Sequence, residues 1–116
     1  MRVLFGEAVA LGPGKADLLE EVGRSGSISE AARSMKMSYR RAWLLIDAMN
    51  RDFQGPLVET TRGGSGGGGA RLTQLGHEVL TRYRKMEKKA ERALQDDVAA
   101  FQPLLAKTPK SRRQRS

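Results

Sequence analysis

The sequence contains no cysteine and a single histidine, His77. The absence of cysteine excludes disulfide bonds and thiolate metal ligands. One histidine supplies neither a zinc site nor a histidine-based catalytic relay, so we expect His77 to lie on a helix surface and the chain to bind no metal. The chain also lacks paired carboxylates in an apolar setting, which leaves little from which to build a catalytic site, and we expect a protein that is not an enzyme.

Long hydrophobic runs and aromatic residues are scarce as well. No apolar run approaches the roughly 20 residues of a membrane-spanning helix, and Glu7 interrupts the apolar N-terminal segment where a signal peptide would be uncharged. We therefore predict a cytoplasmic protein without a membrane segment. Hydrophobic residues form 39% and aromatic residues 5% of the 116 positions, which allows one small core and favours oligomerisation.

Positive charge, by contrast, is abundant. The chain has 21 Lys and Arg against 13 Asp and Glu, a formal net charge of +8, which favours a polyanionic partner such as nucleic acid or an acidic membrane surface. A soluble protein with a basic tail is the alternative, because residues 107–116 hold five cations and no acid, and we expect this tail to be disordered. The predicted phosphate contacts are Ser27, Lys36, Lys110, Arg112 and Arg113.

Residues 26–53 are predicted to form two short helices joined by a turn. Ser27 and Glu30 have the spacing of a capping box for a helix over about 28–35. Ser38 is predicted to cap the next helix, whose apolar positions recur at i, i+3, i+4 and i+7 and face inward. These positions are Ala42, Leu45, Ile46, Met49 and Phe53.

The second of these helices begins with polar and cationic residues, which is typical of a DNA-reading helix in a helix-turn-helix. Arginine suits this role because its planar side chain donates two hydrogen bonds to guanine or to a phosphate. A three-helix bundle with solvated arginines is the alternative, and the sequence leaves open whether Trp43 packs or contacts DNA. The predicted recognition residues are Ser38, Tyr39, Arg40, Arg41, Trp43, Leu44 and Asp47.

Shorter elements flank the helix pair. Two apolar segments at 3–5 and 8–11 predict a small hairpin, and a first helix with Leu18 and Val22 on its inner face is expected to end near Gly23. A strand at 57–60, a glycine loop and a partner strand at 71–73 predict a second hairpin.

The loop at 63–69 has six glycines and Ser65. It contains a formal GxGxxG pattern, but a phosphate-binding Walker loop needs Lys and then Ser or Thr after the last glycine, where this chain has Ala70, Arg71 and Leu72. We interpret the loop as a flexible wing whose glycines bring backbone amides close to phosphates; a hairpin linker without contacts is the alternative. The predicted wing residues are Arg62, Gly63, Gly64, Ser65, Gly66, Gly67, Gly68, Gly69 and Arg71.

A long helix is predicted from Leu75 to Phe101, with Thr73 as its cap. It spans about 40 Å, whereas a compact domain of about 70 residues is roughly 28 Å across. Its distal stripe therefore needs a partner, and we predict a second copy of the chain in a two-fold dimer; a helix that bends back over its own domain is the alternative. The predicted interface residues are Leu75, Val79, Tyr83, Met86, Ala90, Leu94 and Phe101.

Residues from about 14 to 83 resemble the DNA-binding domain of the ModE family of molybdate-responsive regulators. The resemblance lies in SGSISEAAR, MSYRRAW, the LVE strand and TRGGSGGGGARLT, followed by the glycine of LTQLG. The same segment is similar, more loosely, to LysR-type winged domains. The resemblance implies a mainly α winged helix-turn-helix with a β-hairpin wing (residues 1–74) and a long C-terminal dimerisation helix (75–102). The basic tail (103–116) follows from the composition of the last residues.

The resemblance also implies a function: a dimeric, sequence-specific transcriptional regulator that binds a palindromic operator in double-stranded DNA and represses genes for molybdate transport or related processes. Members of the family carry C-terminal oxyanion-binding repeats, whereas fifteen residues follow Phe101 here. We therefore expect no cofactor within this chain and a molybdate response only through a missing domain or a partner. The alternative function is a nucleoid-like or adaptor protein that binds DNA with little sequence preference.

Overall fold

A computed structural model describes residues 2–5, 9–61 and 69–107, with only the backbone at residues 4, 5, 9 and 10. It confirms a mainly α fold with an antiparallel hairpin after the third helix. The chain divides into two compact units, residues 1–85 and 86–116. In chain order the elements are β1 (Val3–Phe5), β2 (Val9–Leu11), α1 (Pro13–Ser25), α2 (Ile28–Ser34), α3 (Tyr39–Asp52), β3 (Val58–Thr61), β4 (Gly69–Leu72), α4 (Gln74–Ala99) and a 3₁₀ turn (Gln102–Leu104).

Helix α1 begins at a proline and ends at a left-handed glycine. Pro13 occupies the first turn, where its missing N–H costs nothing. Gly26 has φ 73°, and its N–H donates to the Val22 carbonyl at 2.8 Å. The predicted end near Gly23 is wrong, because a helix runs on until a residue that adopts the left-handed conformation reverses the chain. Gly23 lies inside the helix.

Serines cap the next two helices, as predicted. The Ser27 hydroxyl accepts from the Glu30 N–H at 3.0 Å, and the Ser38 hydroxyl accepts from the Arg41 N–H at 3.0 Å. The reciprocal half of the predicted capping box is absent among the described contacts. The Ser27 N–H donates to Ser25 at 3.3 Å instead, since Glu30 is engaged in an ion pair with Arg33.

The main core of the first unit lies between α1, α2, α3 and the β3–β4 hairpin. The predicted inner face of α3 is confirmed, with Ala42, Ile46 and Met49 buried and Leu45 and Phe53 packed at the edge. Burying such side chains stabilises the fold by about 1.5–3 kcal/mol each for the larger ones. The other buried residues are Leu18, Leu19, Val22, Ile28, Ala31, Ala32, Leu57, Val58, Ala70 and Leu72.

The β3–β4 hairpin is attached to this core on both strands. Its register pairs Val58 with Leu72 and Thr61 with Gly69, so two buried side chains anchor its base. On the outer side of β4, the Ala70 N–H donates to the carbonyl of Gly26 at 2.9 Å. The turn between α1 and α2 thus supplies a hydrogen-bond partner for an edge strand that would otherwise be open.

Thr73 caps α4, as predicted, and joins it to the preceding hairpin. Its hydroxyl accepts from the Gly76 N–H at 2.9 Å and donates to the Pro56 carbonyl at 2.7 Å. Gly76 faces the backbone of Leu57, and a Cβ on Gly76 would lie 2.1 Å from the Leu57 carbonyl oxygen. A glycine is therefore required in the first turn of α4.

A smaller cluster joins the β1–β2 hairpin, α1 and the first half of α4. Tyr83 is 1% exposed and packs with Leu11 and Ala16 of the same chain, and Arg84 pairs with Asp17 at 2.7 Å and Glu20 at 2.6 Å. The prediction that Tyr83 becomes buried between chains is therefore wrong, because its own chain already covers it. Two other predicted interface residues, Leu75 and Val79, also pack against the first unit's own core.

The second unit presents apolar side chains without a core. None of its described residues is buried. Met86 is 38%, Leu94 51%, Val98 66% and Phe101 60% exposed, and Ala90 is half-buried. Across the part of the chain that the structure describes, no helix combines the length and apolar character needed to cross a membrane.

Candidate nucleic-acid interface

Successive residues of a helix are rotated by about 100° around its axis, so the outer surface of α3 consists of a central strip and two flanks. With Ala42, Ile46 and Met49 facing the core, Arg40 and Leu44 point straight out. Tyr39 and Trp43 lie on the flank that continues to Asn50 and the hairpin. Arg41 and Leu45 lie on the other flank, which faces the start of α1.

Large apolar and aromatic side chains on this helix are left exposed. Tyr39 is 53%, Trp43 43% and Leu44 46% exposed. Trp43 belongs to neither core cluster of the first unit, so it does not pack in the core, and a contact with DNA stays a prediction. Asp47 is half-buried and its carboxylate pairs with Arg51 at 3.0 Å, so it is the one predicted recognition residue that is already engaged with a neighbouring side chain.

The turn between α2 and α3 contains a strained backbone. Lys36 has φ 58°, the one non-glycine residue with positive φ among those described. This conformation costs an L-residue roughly 1 kcal/mol. Two backbone hydrogen bonds hold the turn. The Lys36 N–H donates to the Arg33 carbonyl at 3.1 Å, and the Met37 N–H donates to the Ala32 carbonyl at 3.0 Å.

Lys36→Gly is therefore expected to raise the free energy of unfolding by about 0.5–1 kcal/mol, because glycine relieves the left-handed strain. Lys36→Ala removes the same charge but keeps the strain, and it serves as the matched control. Urea denaturation of both variants measures the difference. Equal stability of the two variants would contradict the assigned backbone conformation.

Ion pairing separates the arginines into two groups. Six of the ten arginines that the structure describes pair with carboxylates: Arg24, Arg33, Arg51, Arg71, Arg82 and Arg84. In one of these pairs the Arg24 guanidinium holds the pKa of the Glu21 carboxyl below its usual value. Arg2, Arg40, Arg41 and Arg92 have no described carboxylate within ion-pair distance, and the first three lie near the start of α3.

A depression of about 470 Å³ lies on the hairpin side of α3. Hydroxyl groups dominate its lining, and Tyr39 connects it to the recognition helix. Hydroxyl groups can donate hydrogen bonds to phosphate oxygens. Its residues are Ser27, Ile28, Ser29, Tyr39, Thr60, Thr61 and Gly69.

The predicted wing is described only at its base. Residues 62–68 lie outside the described residues, and so do Lys110, Arg112 and Arg113 of the tail. At the base the Gly69 N–H donates to the Thr61 hydroxyl at 3.0 Å. Arg71 pairs with Glu59, its cross-strand neighbour, at 3.0 Å, and both side chains are largely exposed, so the pair contributes little stability and can exchange for a phosphate.

Sequence reasoning missed Asn50, which joins the recognition helix to the hairpin. Its side-chain oxygen accepts from the N–H groups of Leu57 at 2.8 Å and Val58 at 3.1 Å, and its amide donates to the Val58 carbonyl at 3.0 Å. A signal was available, since Asn50 follows Ile46 by four residues and is therefore a polar residue beside the apolar face. Among the described residues no group of three or more His, Asp or Glu side chains can hold a metal ion.

Comparison with known proteins identifies this arrangement. The family of bacterial regulatory helix-turn-helix proteins of the lysR type matches residues 15–77, which contain most of α1, all of α2 and α3, and the β3–β4 hairpin. The fold is similar to that in the crystal structure of a complex of the CbnR DNA-binding domain with DNA, with a TM-score of 0.58 and 24% identity over 74% of this chain and 93% of that one.

Curated relatives refine the comparison. The transcriptional regulator ModE of Haemophilus influenzae is 37% identical over 105 residues, covering 88% of this chain. The DNA-binding transcriptional dual regulator ModE of Escherichia coli K12 is 40% identical over 90 residues, covering 75% of this chain. The chain spans 41% and 34% of the lengths of these two relatives. It belongs to the lysR family of bacterial regulatory helix-turn-helix proteins, which are not enzymes, and its helix-turn-helix is of the ModE type.

Proposed function

We propose that this chain is a transcriptional regulator that binds a palindromic operator in double-stranded DNA as a homodimer and represses genes for molybdate transport or other molybdenum-related processes. The observation that carries the DNA-binding part is the outer surface of α3. There, the exposed Tyr39, Trp43 and Leu44 accompany two arginines that no described carboxylate neutralises.

The residues of α3 divide into two roles in this proposal. Arg40 projects from the centre of the exposed face, where a bidentate hydrogen bond to guanine is geometrically accessible. Tyr39 and Trp43 lie towards the hydroxyl-lined depression, where they meet sugars and thymine methyl groups. Ser38 caps the helix through its oxygen, and its hydroxyl hydrogen remains available to a phosphate.

Selection of binding sites from random duplex DNA by the purified full chain tests the function. A palindromic consensus with half-sites about one helical turn, or a multiple of it, apart is expected for a dimeric groove reader. Equal affinity for the selected and the scrambled duplex would overturn the proposal in favour of a nucleoid-like protein.

Arg40→Ala is expected to reduce discrimination between the selected duplex and a single-base variant by on the order of 1–3 kcal/mol, because one base loses its hydrogen bonds. Arg82→Ala, which removes an ion-paired arginine of α4, is the control and should bind like the wild type. Fluorescence anisotropy titrations against both duplexes measure the ratio of the two affinities. A uniform loss on all duplexes after Arg40→Ala would assign Arg40 to phosphate instead.

The second unit supports the dimeric part of the proposal. Its apolar residues recur every four positions along α4, at Met86, Ala90, Leu94 and Val98, and Phe101 follows just beyond the helix. None of the described residues of this unit is buried. A stripe of this spacing matches a second identical helix, in which each side chain inserts between those of the partner. Four residues of the predicted interface therefore stay in the proposal, whereas Leu75, Val79 and Tyr83, which pack within their own chain, leave it.

Leu94→Lys is expected to convert the dimer into a monomer at micromolar concentration, since a charge in the middle of the apolar stripe would be desolvated on pairing. Gln95→Lys adds the same charge on the next helix position, about 100° away from Leu94, and should remain dimeric. Sedimentation equilibrium distinguishes the two variants. A monomeric wild-type chain, or a dimeric Leu94→Lys variant, would contradict the predicted interface.

The molybdenum part of the proposal is supported by the names of the relatives, which include the molybdenum transport protein ModE of Azotobacter vinelandii. We propose that molybdate acts through a domain or partner outside the chain. Site selection in the presence and absence of molybdate, followed by transcript measurement for the genes that carry the site, tests this part. Transcripts that are unchanged after removal of the regulator would refute repression.

A further inference from the structure

Leu44 is a large apolar side chain in the middle of the central strip of α3. It is 46% exposed and belongs to neither core cluster formed by the described residues. The next residue, Leu45, packs against the main core, so the exposure of Leu44 follows from its position on the outer side of the helix. A leucine left in water forgoes the stabilisation that burial brings, and a ligand that covers Leu44 recovers it.

The surroundings of Leu44 are cationic at the start of the helix and neutralised further along. On the turn before it, Arg40 and Arg41 have no carboxylate within ion-pair distance among the described residues, whereas beyond it Asp47 pairs with Arg51 at 3.0 Å. A shallow depression of about 350 Å³ combines the two free cations with an aliphatic wall, and it suits a ligand that carries both negative charge and an apolar group. Its described lining is Ser38, Arg40, Arg41, Leu44 and Leu45.

The major groove of DNA offers this combination. Phosphate backbones border the groove, and the 5-methyl group of thymine is the apolar group that base edges present inside it. Leu44 follows Arg40 by four residues, which corresponds to about 6 Å along the helix axis, and successive base pairs are about 3.4 Å apart along the duplex. When Arg40 reads a base, the side chain of Leu44 therefore reaches a base pair within about two steps of it.

We propose that Leu44 is a specificity-determining residue that contacts the 5-methyl group of one thymine in each half-site, within about two base pairs of the base that Arg40 reads. The inference rests on the proposed DNA-binding function and adds the class of base that the apolar part of the central strip recognises. Unlike a contact between a cation and a phosphate, this contact depends on the identity of the base.

Deoxyuridine isolates the contact, because uracil lacks the methyl group of thymine but presents the same hydrogen-bonding groups. Each thymine of the selected duplex is replaced in turn, in both half-sites together, and the full chain is titrated by fluorescence anisotropy. One replacement should lower the affinity of the wild type by roughly 10- to 20-fold, since one buried methyl group per half-site contributes a factor of about 4.

The same replacement should have almost no effect on Leu44→Ala, because the alanine side chain does not reach the methyl group. This comparison measures the coupling between Leu44 and the thymine directly. Leu104→Ala is the matched control, since it truncates an exposed leucine outside α3 in the same way. It should respond to deoxyuridine as the wild type does.

Two results would overturn the inference: no effect of any deoxyuridine replacement on the wild type, or an equal loss in the wild type and in Leu44→Ala. A wild-type chain that binds every duplex equally would overturn the proposed function instead. Circular dichroism confirms that Leu44→Ala is folded. Leu44→Gln, which exchanges the aliphatic side chain for a polar one of similar size, replaces it if the alanine variant unfolds.

Discussion

Gly76→Ala is expected to lower the free energy of unfolding by about 3 kcal/mol or more. The added Cβ would lie 2.1 Å from the Leu57 carbonyl oxygen and 3.0 Å from its carbonyl carbon, and neither atom can move aside as a flexible side chain can. Leu57 is fully buried and its carbonyl also accepts from the Thr73 N–H at 2.9 Å. The clash is therefore transmitted to the cap of α4 and to the core, which is the mechanism by which overpacking destabilises proteins.

Gly14→Ala provides the matched control for this substitution. Gly14 lies in the first turn of α1, as Gly76 lies in the first turn of α4, but a Cβ there would meet no atom within 4 Å. Alanine at this position should be neutral or stabilising by up to about 1 kcal/mol, because it lowers the conformational entropy of the unfolded chain. Urea denaturation of the full chain measures the free energy of unfolding of both variants. A loss below about 1 kcal/mol for Gly76→Ala would contradict the close approach of α4 to Leu57.

Asn50→Ala is expected to lower the free energy of unfolding by about 3 kcal/mol, because three hydrogen bonds of roughly 1 kcal/mol each are lost together. The bonds connect α3 to the backbone of Leu57 and Val58, and alanine leaves those backbone groups without their partner. Because the same bonds fix the hairpin relative to the recognition helix, DNA affinity should fall as well, even under conditions where the variant remains folded.

Arg51→Ala is the control for Asn50→Ala. Arg51 is the next residue of α3, and its exposed side chain pairs with Asp47. Exposed pairs of this kind contribute about 0.3–0.5 kcal/mol, so the free energy of unfolding of the control should be close to that of the wild type. If the two variants were equally stable, the hydrogen bonds from Asn50 would not be the connection between helix and hairpin.

Local patterns in the sequence predicted most of the fold. The spacing of Ala42, Ile46 and Met49 predicted the inner face of α3, and Ser38 and Thr73 predicted the helix starts, because a helix period and a cap both depend on residues within four positions of one another. The end of α1 was expected near Gly23 but lies at Ser25, before the left-handed Gly26, because either glycine permits a helix to stop.

The candidate interface was predictable in part for the same reason. The exposure of Tyr39, Arg40 and Trp43 follows from their position opposite the apolar face of one helix. The roles of Asn50 and Gly76, and the burial of Tyr83 within its own chain, did not follow, because each depends on a residue that lies elsewhere in the sequence. Tyr83 illustrates the limit well: its apolar spacing is the same whether a second chain or the β1–β2 hairpin covers it.

The sequence by itself determined a basic, mainly helical chain with a helix-turn-helix whose second helix begins at Tyr39. Periodicity and capping are local properties, so composition and spacing were sufficient for these conclusions. Only the tertiary structure decided which cations remain available to a polyanion. Six described arginines are paired with carboxylates, while Arg2 joins Arg41 beside α3. Charge pairing is a matter of distance in space, and residues 2 and 41 become neighbours only when the chain folds.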